Sequence, residues 1–125
     1  MNFQNHKVIK PEDLNHYGVL FGGKLLQWVD EFSWIAASLA FPTHQFVTMS
    51  MDKVEFRKSV KKGTILKFNI FKYKQGNSYI KFKVEVLAYC DNNIKEELIF
   101  NTAVTFVSTD ENGKIKRLPK SSDQL

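Results

Sequence analysis

Between Gly23 and Pro42 the apolar positions Leu25, Val29, Phe32, Ala36 and Leu39 recur at spacings of four and three, which marks one face of a helix. Leu26, Trp28, Trp34, Ile35 and Ala37 lie off that stripe. The segment is therefore apolar nearly all round, the pattern of a helix buried inside something. It is expected to stop before Pro42, because the residue before a proline disfavours helical geometry. Downstream the period falls to two. Ile80, Phe82, Val84 and Val86 point one way while Lys81, Lys83 and Glu85 point the other. Leu66, Phe68 and Ile70 form a similar face, as do Leu98, Phe100, Val104 and Phe106. Four runs rich in β-branched and aromatic residues follow from this, at about 45–56, 64–74, 78–89 and 96–108.

A short strand near 3–9 precedes the helix, and Pro11 to Gly18 reads as a loop crowded with turn-forming residues. Gln75-Gly76-Asn77 and Cys90-Asp91-Asn92-Asn93 are short turns, so the last three strands form an antiparallel meander. One apolar helix beside one long antiparallel sheet has a simple solution, in which the sheet curls around the helix. The expected architecture is α+β: one long buried helix wrapped by a curved antiparallel sheet of about five strands. A sheet covered by a single helix keeps exposed edges, which favours pairing with a second copy.

Length and composition narrow this only slightly. The chain has 125 residues, 43% hydrophobic and 25% charged, as in an ordinary soluble protein. No repeat or Gly/Pro/Ser-rich linker divides it, so one domain is expected over 1–125, with about 109–125 as a C-terminal tail fraying toward Lys120–Leu125. No run approaches the ~20 apolar residues of a membrane span, and the first residues carry no apolar signal region. A lone Cys90 makes no internal disulfide, and a reducing cytoplasm is the expected compartment. The net charge of +5 suits an anionic partner without choosing among nucleic acid, lipid and phosphorylated small molecules. Arg57, Lys58, Lys61 and Lys62 cluster; they are either a solvated face or a seat for phosphate.

Candidate chemistry centres on the helix. Asp30 lies between Val29 and Phe32 in a segment read as buried. Burying an unpaired carboxylate is costly, so Asp30 either emerges on the solvent side or faces a cleft with partners. Phe21-Gly22-Gly23 opens the helix. The glycines either make a tight turn or let free N–H groups approach a developing oxyanion. Asn15 is either a turn former or an amide able to hold a water or a carbonyl. Other chemistries find little support. His6, His16 and His44 have no metal spacing, and no zinc or other metal site is expected. There is no nucleophile elbow, P-loop or dinucleotide fingerprint. Neither a helix-turn-helix nor a stacking platform for nucleic acid is present.

The run from Pro11-Glu12-Asp13-Leu14-Asn15 through Phe21-Gly22-Gly23, Leu25-Leu26 and Trp28-Val29-Asp30-Glu31 resembles the hotdog-fold acyl-CoA hydrolases. These are the cytosolic acyl-CoA thioester hydrolase type, including the small bacterial YciA-like enzymes. The likeness continues through Val47-Thr48 to Phe56, then Gly63, Gly76-Asn77-Ser78 and Phe106-Val107. The resemblance implies a hotdog fold, homodimers with interfacial active sites, and trimers of dimers. It implies Asp30 as catalytic carboxylate, Asn15 reaching across the interface, Gly22 and Gly23 amides at the oxyanion, and Thr48 near the reacting carbonyl or water. It also implies that Arg57 and Lys58 hold the phosphates of coenzyme A, with Gly76 and Ser78 on its pantetheine or diphosphate.

The chain departs from the family pattern at Ser59, where proline is usual, at Thr64 after Gly63, where aspartate is usual, and at the apolar Leu39-Ala40-Phe41-Pro42. The expected activity is hydrolysis of acyl-CoA to a carboxylic acid and coenzyme A, without a cofactor, metal, membrane or nucleic acid. A non-catalytic acyl-CoA sensor and a hydrolase of acyl-carrier protein are the alternatives.

Overall fold

The computed structural model describes residues 2–90 and 95–120. Its elements are β1 (Asn2–Val8), a 3-10 turn (Pro11–Asp13), α1 (Gly22–Ala40), β2 (Gln45–Phe56), β3 (Ile65–Gln75), β4 (Tyr79–Cys90) and β5 (Lys95–Thr109). The strands form one antiparallel sheet in the order β1-β3-β4-β5-β2. The meander of β3, β4 and β5 is as expected, and α1 packs across one face of the sheet. The expected turn at Cys90–Asn93 falls largely outside the described residues.

The alternation decides which side meets the helix. Leu66, Phe68 and Ile70 of β3, with Ile80, Phe82, Val84 and Val86 of β4, are all buried on the inner face. Phe68 lies edge-on to Phe32 at 5.0 Å and to Trp28 at 6.4 Å between ring centroids, so it joins sheet to helix. Irregularities in register interrupt β2 twice, β3 once and β5 once. Each extra residue bends its strand and increases twist, which lets the sheet curl around α1.

Three expectations need correction. The buried stripe of α1 comprises Leu25, Trp28, Val29, Phe32, Ser33, Ala36 and Ala37. Trp28 and Ala37 therefore belong to it, whereas Leu39 is exposed. The helix is not enclosed on all sides, since Trp34 and Leu39 face outward. In β5 the register shifts opposite Val86 and Leu87. Leu98 is thereby turned away from the face of Phe100, and Ile99 is buried instead.

The residues after β5 pack back on the sheet as far as Leu118, and the fraying expected toward Leu125 falls largely outside the described residues. The Lys116 amide donates to the Ser108 carbonyl, the Leu118 amide to Asn77, and Leu118 itself is buried. The Lys116 ammonium donates to the Thr43 carbonyl at 2.8 Å. This brings a cation beside His44, whose Nδ1 lies 2.7 Å from Ser108 Oγ. Burial first, then Lys116, holds the His44 imidazole below its ordinary pKa of 6.5. The folded chain thus binds this proton less tightly than the unfolded one. The stabilising effect of neutral His44 is complete above 6.5 and is lost as pH falls below it. His44→Asn is expected to flatten part of the decline in unfolding midpoint between about pH 7 and pH 5. Parallel melting curves across that range test this, and identical slopes would refute it.

Candidate active site

Asp30 sits on the side of α1 that faces β2, at the margin of the buried stripe. Thr48 of β2 donates its hydroxyl to Asp30 Oδ1 at 2.5 Å. One helical turn further on, Trp34 Nε1 donates to the carbonyl of Phe46 at 3.2 Å. These two rungs tie the helix to β2, which runs antiparallel to it. Asp30 is only half-buried, so one carboxylate oxygen is fixed by Thr48 while the group remains open to a reactant. A hydrogen bond to an ionised acceptor typically contributes about 1.5–3 kcal/mol. Thr48→Val is expected to cost about ten- to a hundredfold in turnover with folding intact, read by steady-state kinetics.

The helix start is a second locus. Phe21 is the N-cap and provides no side-chain cap, and the first turn contains no acidic residue. The amides of Gly22 and Gly23 have no backbone acceptor among the described residues. They point out of the positive end of the helix, a suitable place for an oxyanion. Gly22 lies beside the Phe56 ring, which a Cβ there would meet at an ordinary contact distance of 3.4 Å.

Asn15 adopts the turn-former geometry. Its Oδ1 accepts from the amides of Tyr17 at 2.8 Å and Val19 at 3.3 Å. Its amide nitrogen has no partner among the described residues.

Distances separate these groups within one chain. Gly22 and Asp30 are eight residues apart, a rise of about 12 Å, far more than one carbonyl spans. Two turns of helix thus separate the two loci, as their spacing in the sequence implies.

The phosphate candidates are also dispersed. Arg57 and Lys58 follow β2 at the helix N-terminal end. Gly76 and Ser78 turn β3 into β4 at the opposite end, where the Ser78 carbonyl accepts from Ser108. The ends of a twelve-residue strand lie roughly 35 Å apart. Arg57 donates to Asn101 at 2.8 Å and approaches Glu55 at 3.6 Å. Lys58 pairs with Glu97 at 2.8 Å, which raises its pKa. Gly76 has a packing role, since a Cβ would strike the Tyr79 ring at 2.0 Å.

Two concavities flank the sheet. One of about 320 Å³ lies beside the helix start and is lined by Gly22, Leu25, Phe56, Arg57, Lys58 and Val60, among others. The larger, of about 700 Å³, lies on the face away from the helix. It takes in Asp52, Lys53, Tyr73, Lys81 and Lys83, and of the candidate residues only Arg57. The smaller one lies beside the Gly22 amide and combines apolar side chains with Arg57 and Lys58. Among the described residues no three His, Cys, Asp or Glu side chains converge as a metal site would require.

The sequence pattern missed Asp13. Its carboxylate is 3% exposed, accepts from the Lys10 amide at 2.9 Å and lies 3.9 Å from the Lys24 ammonium. Its own carbonyl accepts from the Phe21 amide. Asp13 thereby pins both the loop carrying Asn15 and the start of α1. In sequence it is one polar residue in a turn, and nothing marks it as buried.

The family model of the thioesterase superfamily matches residues 17–92. The acyl-CoA thioester hydrolase YkhA of Bacillus subtilis is 31% identical over 91% of this chain and 69% of its own length. An acyl-CoA thioester hydrolase of Haemophilus influenzae is 31% identical over 91% of this chain and 75% of its own. Among solved structures, an acyl-CoA hydrolase of Staphylococcus aureus in complex with coenzyme A superposes with a TM-score of 0.87 at 31% identity, covering 94% of this chain and 70% of that one. That form and two others carry alanine in place of an asparagine, a threonine or an aspartate. A hexameric hotdog-fold thioesterase of Campylobacter jejuni superposes with a TM-score of 0.82 at 33% identity, over 93% of this chain and 89% of that one. The helix wrapped by a five-stranded sheet, the family match across most of the chain and the identities above 30% agree: the chain belongs to the hotdog-fold acyl-CoA thioester hydrolases of the thioesterase superfamily.

Proposed function

We propose that the protein hydrolyses acyl-CoA thioesters at a site built by two copies of the chain, with Asp30 as base or nucleophile. The observation that carries this is the Thr48–Asp30 hydrogen bond on an otherwise open stretch of helix. The relatives add a spacing. In the Staphylococcus aureus enzyme the substituted asparagine and aspartate are fifteen residues apart, and the threonine follows seventeen later. Here Asn15, Asp30 and Thr48 are separated by fifteen and eighteen.

The 12 Å rise between Gly22 and Asp30 gives the reason for two chains. The partner subunit brings its Gly22 and Gly23 amides and its Asn15 to the Asp30 of this one. The amides polarise the thioester carbonyl as negative charge develops on its oxygen. Asp30, fixed by Thr48, takes a proton from water as the water attacks, or itself attacks to give a mixed anhydride that water then opens. The thiol of coenzyme A leaves. Its phosphates meet Arg57 and Lys58 at the basic rim of the smaller cleft, and Gly76 and Ser78 of another subunit complete the contact.

The sheet edges support this assembly. β1 is short and carries Asn2, Gln4, Asn5, His6 and Lys7, polar residues of the kind that discourage edge pairing. β2 leaves Val47, Met49, Val54 and Phe56 exposed, beside the outward Trp34 and Leu39 of α1. A second copy joined along β2 would cover this apolar surface. Hexameric relatives favour three such dimers. No helix among the described residues is long and apolar enough to cross a membrane. The mouse relative is named as cytosolic, which favours a cytoplasmic setting.

Release of free thiol from a series of acyl-CoAs tests the activity. Strong release, with a light-scattering mass above that of a monomer, is expected. Tight acyl-CoA binding without release would instead indicate a sensor.

A further inference from the structure

We propose that the Trp34 indole closes the acyl end of the site and restricts hydrolysis to short acyl groups; the inference rests on the acyl-CoA reading above. Trp34 is four residues after Asp30, so the two share a helix face about 6 Å apart along the axis. The indole is not free to swing away. Its Nε1 is held by the Phe46 carbonyl at 3.2 Å, on the same strand as Thr48 and two residues before it. The carboxylate and the indole are thus fixed side by side by consecutive rungs between α1 and β2. In the single chain its side chain remains 47% exposed, on the surface assigned above to the second copy, while Trp28, on the opposite side of the stripe, is buried at 5%.

The chemistry of the substrate gives this placement its meaning. A carbonyl attacked at Asp30 has two substituents that leave it in different directions. The thiol-bearing arm must lead out to solvent, because the rest of coenzyme A is large and charged. The acyl group takes the apolar side. Beside Asp30 the neighbouring helix positions not fully buried are the polar Gln27 and Glu31, the partly buried Leu26 one turn toward the helix start, and Trp34 one turn beyond. The indole is therefore the largest exposed apolar side chain on this part of the helix, and on the side beyond Asp30 its bulk fills the space into which a longer chain would extend. Each further methylene that cannot be buried forfeits transfer free energy, and one forced against the indole adds steric cost.

The experiment compares kcat/KM for butyryl-, hexanoyl-, lauroyl- and palmitoyl-CoA in the native protein, in Trp34→Ala and in Trp34→Phe. Oligomeric mass and melting temperature are measured alongside. The native protein is expected to favour butyryl- and hexanoyl-CoA. Trp34→Ala is expected to raise the ratio of lauroyl- to butyryl-CoA activity by about tenfold or more, the effect of burying about two further methylenes. Trp34→Phe, which keeps most of the wall, is expected to stay near the native profile. An unaltered profile in a folded, assembled Trp34→Ala protein overturns the inference and leaves the thioesterase reading intact. Palmitoyl-CoA hydrolysed by the native protein as readily as butyryl-CoA also overturns it, without recourse to a variant. Absence of release from every acyl-CoA overturns both readings together.

Discussion

Asp30→Asn is expected to lower acyl-CoA hydrolysis by about a hundred- to ten-thousandfold, the usual contribution of a positioned base. The substitution is nearly isosteric, and the amide oxygen can still accept the Thr48 hydroxyl that now contacts Asp30 Oδ1. Half-exposure of the position keeps the folding cost small. The variant should therefore retain its melting temperature, its assembly and its affinity for coenzyme A while losing turnover. This combination separates a chemical role from a structural one. If the variant keeps more than about a tenth of the native rate, Asp30 is neither base nor nucleophile. Rapid-quench detection of a mixed anhydride in the native enzyme would then decide between the two roles of an Asp30 that passes the first test.

The second large effect is on stability. Phe68→Ala should destabilise the fold by about 3–5 kcal/mol, as loss of a buried aromatic typically does. Phe68 is fully buried at the centre of the inner face and packs edge-on against both Phe32 and Trp28. Its removal leaves a void beneath the helix that side chains held on rigid strands fill poorly. Domains of this kind have only about 5–15 kcal/mol in total, so the variant should unfold at much lower denaturant. Urea unfolding at fixed protomer concentration measures it, because oligomerisation shifts apparent stability. A midpoint displaced by less than the equivalent of about 1 kcal/mol would mean that the helix and sheet collapse onto the vacancy.

Much of this molecule was legible from periodicity. The change from a 3.6-residue to a 2-residue period placed α1 and the four long strands within one or two residues of their observed bounds. That is because each element needs an apolar face, and the face must follow the element's own geometry. The curled sheet around one helix followed from the same accounting, since a single helix has nowhere else to bury its stripe. Asp30 stood out in sequence because a carboxylate in an apolar helix has no local benefit. Gly22-Gly23 stood out because paired glycines at a helix start leave its amides uncovered by side chains.

Only the tertiary structure decided the rest. Sequence order gives no reason for β2 to skip β3 and pair with β5, yet that crossover brings Thr48 to Asp30 and Phe46 to Trp34. Bulges depend on strand neighbours, so the turning of Leu98 away from the core was invisible to a count of alternating residues. Asp13 is polar in a polar turn, and its burial exists only where the loop meets the helix. The separation of Arg57 from Ser78 likewise comes from three dimensions, since it follows from the pairing of β2 with β5. Spacing along a chain fixes which face a residue occupies, whereas the distance between two loci depends on how the elements that carry them are packed.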